Sequence, residues 1–523
     1  MAVRFAIIHA MKKVYERTIL TNVVAAFCVI ASVAVFAVEL DMSADRADTP
    51  FAPRLKRIGT LRPRSTKEIR SSNWMVGCEC NDRDLVDFEK YKRFLPPLGV
   101  KTIRLMGGWQ KCEQKKGVYD FAWLDREVDF ANANGINVYL GLEYGNPIYP
   151  GGGGVDLAGQ FPKGEVALAA WDRWVDAMTK HFKGRVRDWS MWNEPDSNPP
   201  ELIAEFNVRT AKIVKRNIPD ARIGGFTFAD IYLPNIEPCL EAAGKDLSLF
   251  HWFVYHGYTF APETVYDRVE ELRKVVKHAN PSLKLRQGEN GCPSEMVPHG
   301  WALNGVPWSE YSQAKWILRR MLGDLGHDIE SAVFQIVDFY NPKRNAVAGV
   351  FNTKGLLRTD LAKNVVDVKL AYYAVQNLAS VFDDRWSRVR DSKLSTTDLG
   401  VVVYEYVKDS GERMYLFWRF ADRAVPATHK YSCMNPQVAG LEFPAVRPGD
   451  SFEAAPQVFC VRDGSCLKDP VFVDLLSGRV YEFPVRKVAA SGDATRYIGV
   501  PVYDSPCFLT ERSALDLMEN CQP

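Results

Sequence analysis

Two glutamates stand in surroundings that ordinary surface acids lack. Glu194 follows an asparagine and precedes a proline in "WSMWNEPD", and Glu289 closes "LRQGENG" among glycines. Each lies where a short apolar run gives way to a loop. If those runs are strands facing each other across one pocket, the pair can cleave a glycosidic bond. One carboxyl would donate a proton to the leaving oxygen while the other attacks the anomeric carbon. The two roles need opposite protonation states at one pH, and therefore different surroundings.

Something must bring residues so distant in the chain together. Eight short apolar runs alternate with amphipathic stretches: "NWMVG", "KTIRLM", "INVYLGL", "RDWSMW", "ARIGGF", "FHWFVYH", "LKLRQG" and "SAVFQIV". Near-continuous apolar character predicts strands buried on both faces, and the alternation predicts βα units around a parallel sheet. Glu165 to Lys183 reads as a helix with Val166, Ala170, Trp174, Ala177 and Met178 on one face; Glu263 to His278 has a similar stripe. No glycine fingerprint for phosphate follows the first strand, and eight units match a (β/α)₈ barrel. In such a barrel strands four and seven oppose each other, and reactive groups collect at the C-terminal ends of the strands.

The expected organisation has four parts. Residues 1–40 are a signal peptide or membrane anchor, because Lys12, Lys13 and Arg17 precede an apolar run from Thr18 to Leu40. Residues 41–70, polar and Arg-rich, read as a linker. Residues 71–385 form the barrel, and 386–523, with runs such as "VVVYEYV" and "RMYLFWRF", form an all-β, sandwich-like domain. Secretion, or residence in the cell envelope with attachment through residues 18–40, follows from the first part. The charge balance, 66 basic against 64 acidic residues for a net +2, gives no reason to expect nucleic acid. Among 11 cysteines, Cys460 and Cys466 in "CVRDGSC" are the best disulfide candidates, and no Cys/His spacing suggests a metal site.

"MWNEPD" with "GENG" resembles the clan A glycoside hydrolases, especially families 39 and 5. The likeness extends through "IRLMGGWQKCEQKKGVYDFAWLDREVDFANANGINVYLGLEYGNP" and "GLLRTD…KLAYYAVQNL", so it spans roughly residues 73–385. The resemblance implies a retaining glycosidase without cofactor, acting on an oligo- or polysaccharide. It casts Glu194 as general acid/base, Glu289 as nucleophile and Asn193 as a hydrogen-bonding partner of the sugar 2-hydroxyl. Tyr258 in "YHGY" would hold the nucleophile, His256 would line the site, and Arg104 would keep Glu289 ionised. Trp109 is a further candidate for stacking on sugar, as are Trp301 and Trp308. The clan's tryptophan at the end of strand eight is missing from "FQIVDFYNP", where Phe339 or Tyr340 would have to substitute. A transglycosidase on the same machinery, or a carbohydrate-binding protein without turnover, is the alternative.

Overall fold

The computed structural model describes residues 38–156, 160–297, 301–342, 349–420 and 451–519. Residues 18–37 of the apolar N-terminal run, and with them the signal and anchor readings, lie outside these. Among the described residues, no helix is long and apolar enough to cross a membrane.

All eight expected runs form strands, here β1 (Trp74–Gly77), β2 (Thr102–Met106), β3 (Asn137–Leu142), β4 (Asp188–Met191), β5 (Arg222–Phe228), β6 (Trp252–Tyr255), β7 (Lys284–Gln287) and β8 (Ser331–Val333). They pair in parallel and in chain order, and β8 returns to pair with β1. A parallel bridge from Arg286 to Glu330, just before β8, brings the last edge together. The result is a (β/α)₈ barrel. Helices Glu165–His181, Pro200–Asn217, Tyr266–Ala279 and Glu310–Gly326 are among those that cover it. On Glu165–His181 the buried stripe is Ala167, Ala170, Trp171, Trp174, Val175 and Met178, whereas Val166, expected on that face, is 61% exposed. One turn of the helix carries Trp171 as well as Trp174 inward, and these bulky rings set the orientation that buries most area.

Beyond the barrel, two antiparallel sheets of eight and four strands are built from the C-terminal strands and one N-terminal strand. The central strands of the larger are buried on both faces, and the period-2 alternation of side chains divides them cleanly. Along Arg413–Arg419, Met414, Leu416 and Trp418 join the core shared with the barrel, while Tyr415 and Phe417 join a second core with Phe459 and Tyr497 of the smaller sheet. A β-sandwich is thus packed on the barrel, and the described chain from Leu40 onward is one compact unit.

Two expectations fail here. The stretch read as a linker is built into the fold: Arg57–Leu61 is a strand of the larger sheet, between Arg479–Glu482 and Leu517–Glu519. Phe51 stacks on Tyr503 with ring centroids 4.2 Å apart, inside the second core. Two of its arginines are buried and paired, Arg64 with Asp383 at 2.8 Å and Arg46 with the side chains of Gln376 and Asn377. Cys460 and Cys466 are both free thiols. Cys460 sits between inward-facing Phe459 and Val461, so its side chain points to the outer face of the smaller sheet, away from the core.

Candidate active site

The two glutamates and the four residues that the resemblance grouped around them meet at the C-terminal ends of the strands. Arg104 projects from β2 and is almost wholly buried. Its Nη1 donates to Glu289 Oε2 and to Glu79 Oε1, each at 2.8 Å, and its Nη2 donates to Asn193 Oδ1 at 2.5 Å. The Tyr258 hydroxyl donates to the other oxygen of Glu289 at 2.8 Å. His256, which follows β6, shares a 2.8 Å hydrogen bond between its Nδ1 and Glu194 Oε1 and lies 3.8 Å from Glu289 Oε2. One oxygen of each glutamate and the His256 nitrogen all lie within 4.8 Å of one another. Three such donors are close enough to hold a cation, but their hydrogen bonds to one another, to Arg104 and to Tyr258 already engage them.

Local backbone geometry aims Glu194. Trp192 and Glu194 both adopt positive φ, 52° and 47°, a region that costs a non-glycine residue energy and is held only where neighbours enforce it. Enforcement comes from β5. The Glu194 N–H donates to Thr227 O at 3.0 Å, at a register irregularity between Gly225 and Phe228. Asn290, beside Glu289, donates its side-chain amide to the carbonyls of His256 and Gly257, tying the end of β7 to that of β6.

Electrostatics favours the ionised form of Glu289. Burial alone would raise the pKa of Glu289, but His256, Arg104 and the Tyr258 hydroxyl outweigh it and hold the carboxyl below its ordinary range. Glu194 has His256 as its hydrogen-bond partner and no guanidinium within ion-pair reach among the described residues. Two residues on, burial pushes the Asp196 carboxyl up to about 7, although it accepts the Ala229 N–H on both oxygens.

Residues 86–147, which include β2, β3 and Arg104, match a family model of glycoside hydrolase family 42, described as beta-galactosidase. No protein with a curated description matches the chain. Among solved structures, the chain is similar to a family 39 glycoside hydrolase from the gut symbiont Bacteroides cellulosilyticus WH2, with a TM-score of 0.61 at 17% identity over 86% of this chain and 83% of that one. A monomeric beta-xylosidase from Caulobacter crescentus CB15 gives 0.52 at 15% identity, over 87% of this chain and 97% of that one. A glucosidase from Croceicoccus marinus gives 0.51 at 14% identity, over 87% and 98%. The fold is one that glycoside hydrolases use.

Within that fold, three candidate aromatics take structural places instead of open ones. Trp109 is fully buried, donates Nε1 to Glu113 at 2.6 Å and packs against Trp171, Trp174 and Tyr149, so it presents no face to a sugar. The inward stripe of helix Glu165–His181 is what covers it. Trp308 is buried too, donating to Leu303 O and stacking near Phe260. Phe339 opens a hairpin with Val350–Asn352 and is buried against Trp301 and Phe334. The residue that directly follows β8 is Phe334, a position the sequence reading passed over. Two acids were missed as well: Glu79 beyond β1 and Glu143 after β3, both buried beside Arg104. Only the recurrence of glycine two residues before each, Gly77 and Gly141, could have singled them out.

Proposed function

We propose that the chain is a retaining glycoside hydrolase acting on β-linked oligo- or polysaccharides, with Glu289 as nucleophile and Glu194 as general acid/base. Carboxyl groups about 5–5.5 Å apart suit direct attack, whereas about 6.5–9.5 Å leaves room for an intervening water. The observation that carries the reading is that one carboxylate oxygen of Glu194 and one of Glu289 come within 4.8 Å of each other in unlike surroundings. Ionised Glu289, held by Arg104 and Tyr258, attacks the anomeric carbon while Glu194 gives its proton to the departing oxygen. The glycosyl ester so formed is opened by water, which loses its proton to the Glu194 carboxylate. The anomeric carbon is inverted twice, with net retention, and Glu194 regains its proton. Asn193, fixed by Arg104 and by its own donation to the Tyr144 hydroxyl at 3.1 Å, is placed to meet a sugar hydroxyl beside the nucleophile.

The test uses aryl glycosides of several sugars. Glu289→Ala should abolish turnover. Glu194→Ala should spare substrates with good leaving groups far more than poor ones, because only poor leaving groups need the proton. Equal losses on both substrate types would remove Glu194 from the acid role, and binding across glycans without any turnover would favour the non-catalytic alternative. Export or envelope attachment is part of the same proposal. It rests on the basic start and apolar run of residues 12–40, and fractionation of the expressing cells tests it.

A further inference from the structure

Strands β1 and β3 flank β2, the strand that carries Arg104, and both end in the same device. Each places a glycine two residues before a glutamate, Gly77-Cys78-Glu79 and Gly141-Leu142-Glu143. In each the carboxyl folds back over the glycine. A Cβ on Gly77 would meet Glu79 Oε1 at 3.0 Å, and one on Gly141 would meet Glu143 Oε1 at 2.0 Å. The glycines therefore vacate the space that the carboxyls occupy. Both carboxyls converge on the guanidinium that holds Glu289: Glu79 Oε1 lies 2.8 Å from Arg104 Nη1, and Glu143 Oε1 lies 3.8 Å from Nη2.

We infer that Glu79 and Glu143 are positioning residues, a two-sided clamp that fixes the plane of Arg104 so that its Nη1 stays on the nucleophile. This rests on the reading of Glu289 as nucleophile. Nη1 has two hydrogens, and Glu79 takes the one that Glu289 does not, so rotation of the fork away from Glu289 would break both bonds. Glu143 closes the opposite side. Neither of its oxygens has a hydrogen-bond partner among the described residues, so it bears on Arg104 by packing against it rather than by a hydrogen bond. Three carboxylates around one guanidinium would leave excess buried negative charge. Burial relieves this by pushing Glu79 well above the carboxylate range and Glu143 up to about 7, and a protonated acid still offers Arg104 an acceptor oxygen. The clamp accordingly works through position and does not need its own charge.

Glutamine keeps the acceptor oxygen and removes the charge; alanine removes both. On an aryl glycoside that the wild-type protein hydrolyses, Glu79→Ala and Glu143→Ala should each lose roughly 10²-fold in kcat with KM nearly unchanged, while Glu79→Gln and Glu143→Gln stay within about tenfold of wild type. Crystal structures of the same variants should show Arg104 Nη1 leaving Glu289 in the alanine forms and remaining in the glutamine forms. The double variant Gly141→Ala/Glu143→Ala puts a methyl where the carboxyl was, and should fold and match Glu143→Ala in rate. Alanine variants as fast as wild type, with Arg104 in place, overturn the clamp. So do glutamine variants as slow as the alanine forms while Arg104 stays put, since charge would then be the agent. A wild-type protein that hydrolyses no glycoside overturns the proposed function, and the Arg104 position in the variant crystals then decides the clamp alone.

Discussion

Two arginines are buried in the same barrel, and they are held in opposite ways. Arg104, at the mouth, is fixed by direction: its terminal N–H groups are aimed at Glu79, Glu289 and Asn193, from three other strand ends. Arg286, on β7, is fixed by faces. Its guanidinium carbon lies 3.4 Å from the centroid of the Trp252 ring and 4.6 Å from that of Tyr139, with Glu330 as its ion-pair partner. Its Nε and Nη1 have no hydrogen-bond partner among the described residues. A cation packed against two rings that meet edge to face, at 76° to each other, fills space and tolerates a shift, whereas one committed to several acceptors transmits any shift to each of them. The first arrangement suits a barrel interior that must be packed, the second a nucleophile that must be aimed.

Replacing each arginine with methionine breaks the comparison most sharply. Arg104→Met should lower kcat/KM on the order of 10³-fold, since it removes a preorganised charge from the nucleophile. Steady-state rates on a well-folded preparation check it, and a loss under tenfold would deny Arg104 its role. Tyr258→Phe is milder. Losing a hydrogen bond to a charged group is worth about 1.5–3 kcal/mol, or roughly ten- to hundredfold in rate. The sign of its pH effect is fixed: without the donated proton Glu289 becomes easier to protonate, so the acidic limb of kcat/KM moves to higher pH. An unmoved limb would separate Tyr258 from the nucleophile.

At the other arginine the readout changes from rate to stability. Arg286→Met should leave kcat/KM alone and lower Tm, because the partner carboxylate is left partly buried at a cost of about 3 kcal/mol. Adding Glu330→Met should recover most of that loss. A third effect, confined to pH dependence, is expected at Glu127, a buried acid whose Oε2 lacks a partner among the described residues. Burial raises its pKa from 4.5 to about 8. Between those values the folded protein keeps a proton that the unfolded chain has lost, so this group's contribution to stability falls as pH rises through that window. Glu127→Gln should therefore show a shallower decline of Tm between about pH 5 and about pH 8 than wild type; parallel curves would contradict it.

What the sequence disclosed, it disclosed through local pattern. The barrel strands were legible because burial on both faces writes itself as short unbroken apolar runs, and Glu194 and Glu289 because their neighbours mark strand ends. His256 and Tyr258 were legible as a pair, since their spacing keeps both near the end of β6. Long-range pairing leaves no such trace. Arg57–Leu61 lies beside strands more than four hundred positions later, and polar, Arg-rich text gives no hint of it. Trp109 illustrates a different limit: a tryptophan after a strand reads the same whether sugar or Trp171 covers it. Glu79 and Glu143 were hidden because their significance lies in a shared partner, Arg104, and no feature of either segment names that partner.

The central claim is that Glu289 forms a bond to sugar while Glu194 manages the proton. The most direct measurement incubates the protein with a slow, mechanism-based 2-fluoro aryl glycoside, digests it and maps the label by mass spectrometry. A single glycosyl adduct on the peptide containing Glu289, absent from Glu289→Ala, is the expected result. A label on Glu194, or turnover of ordinary substrates to the inverted anomer with no adduct, would contradict the account.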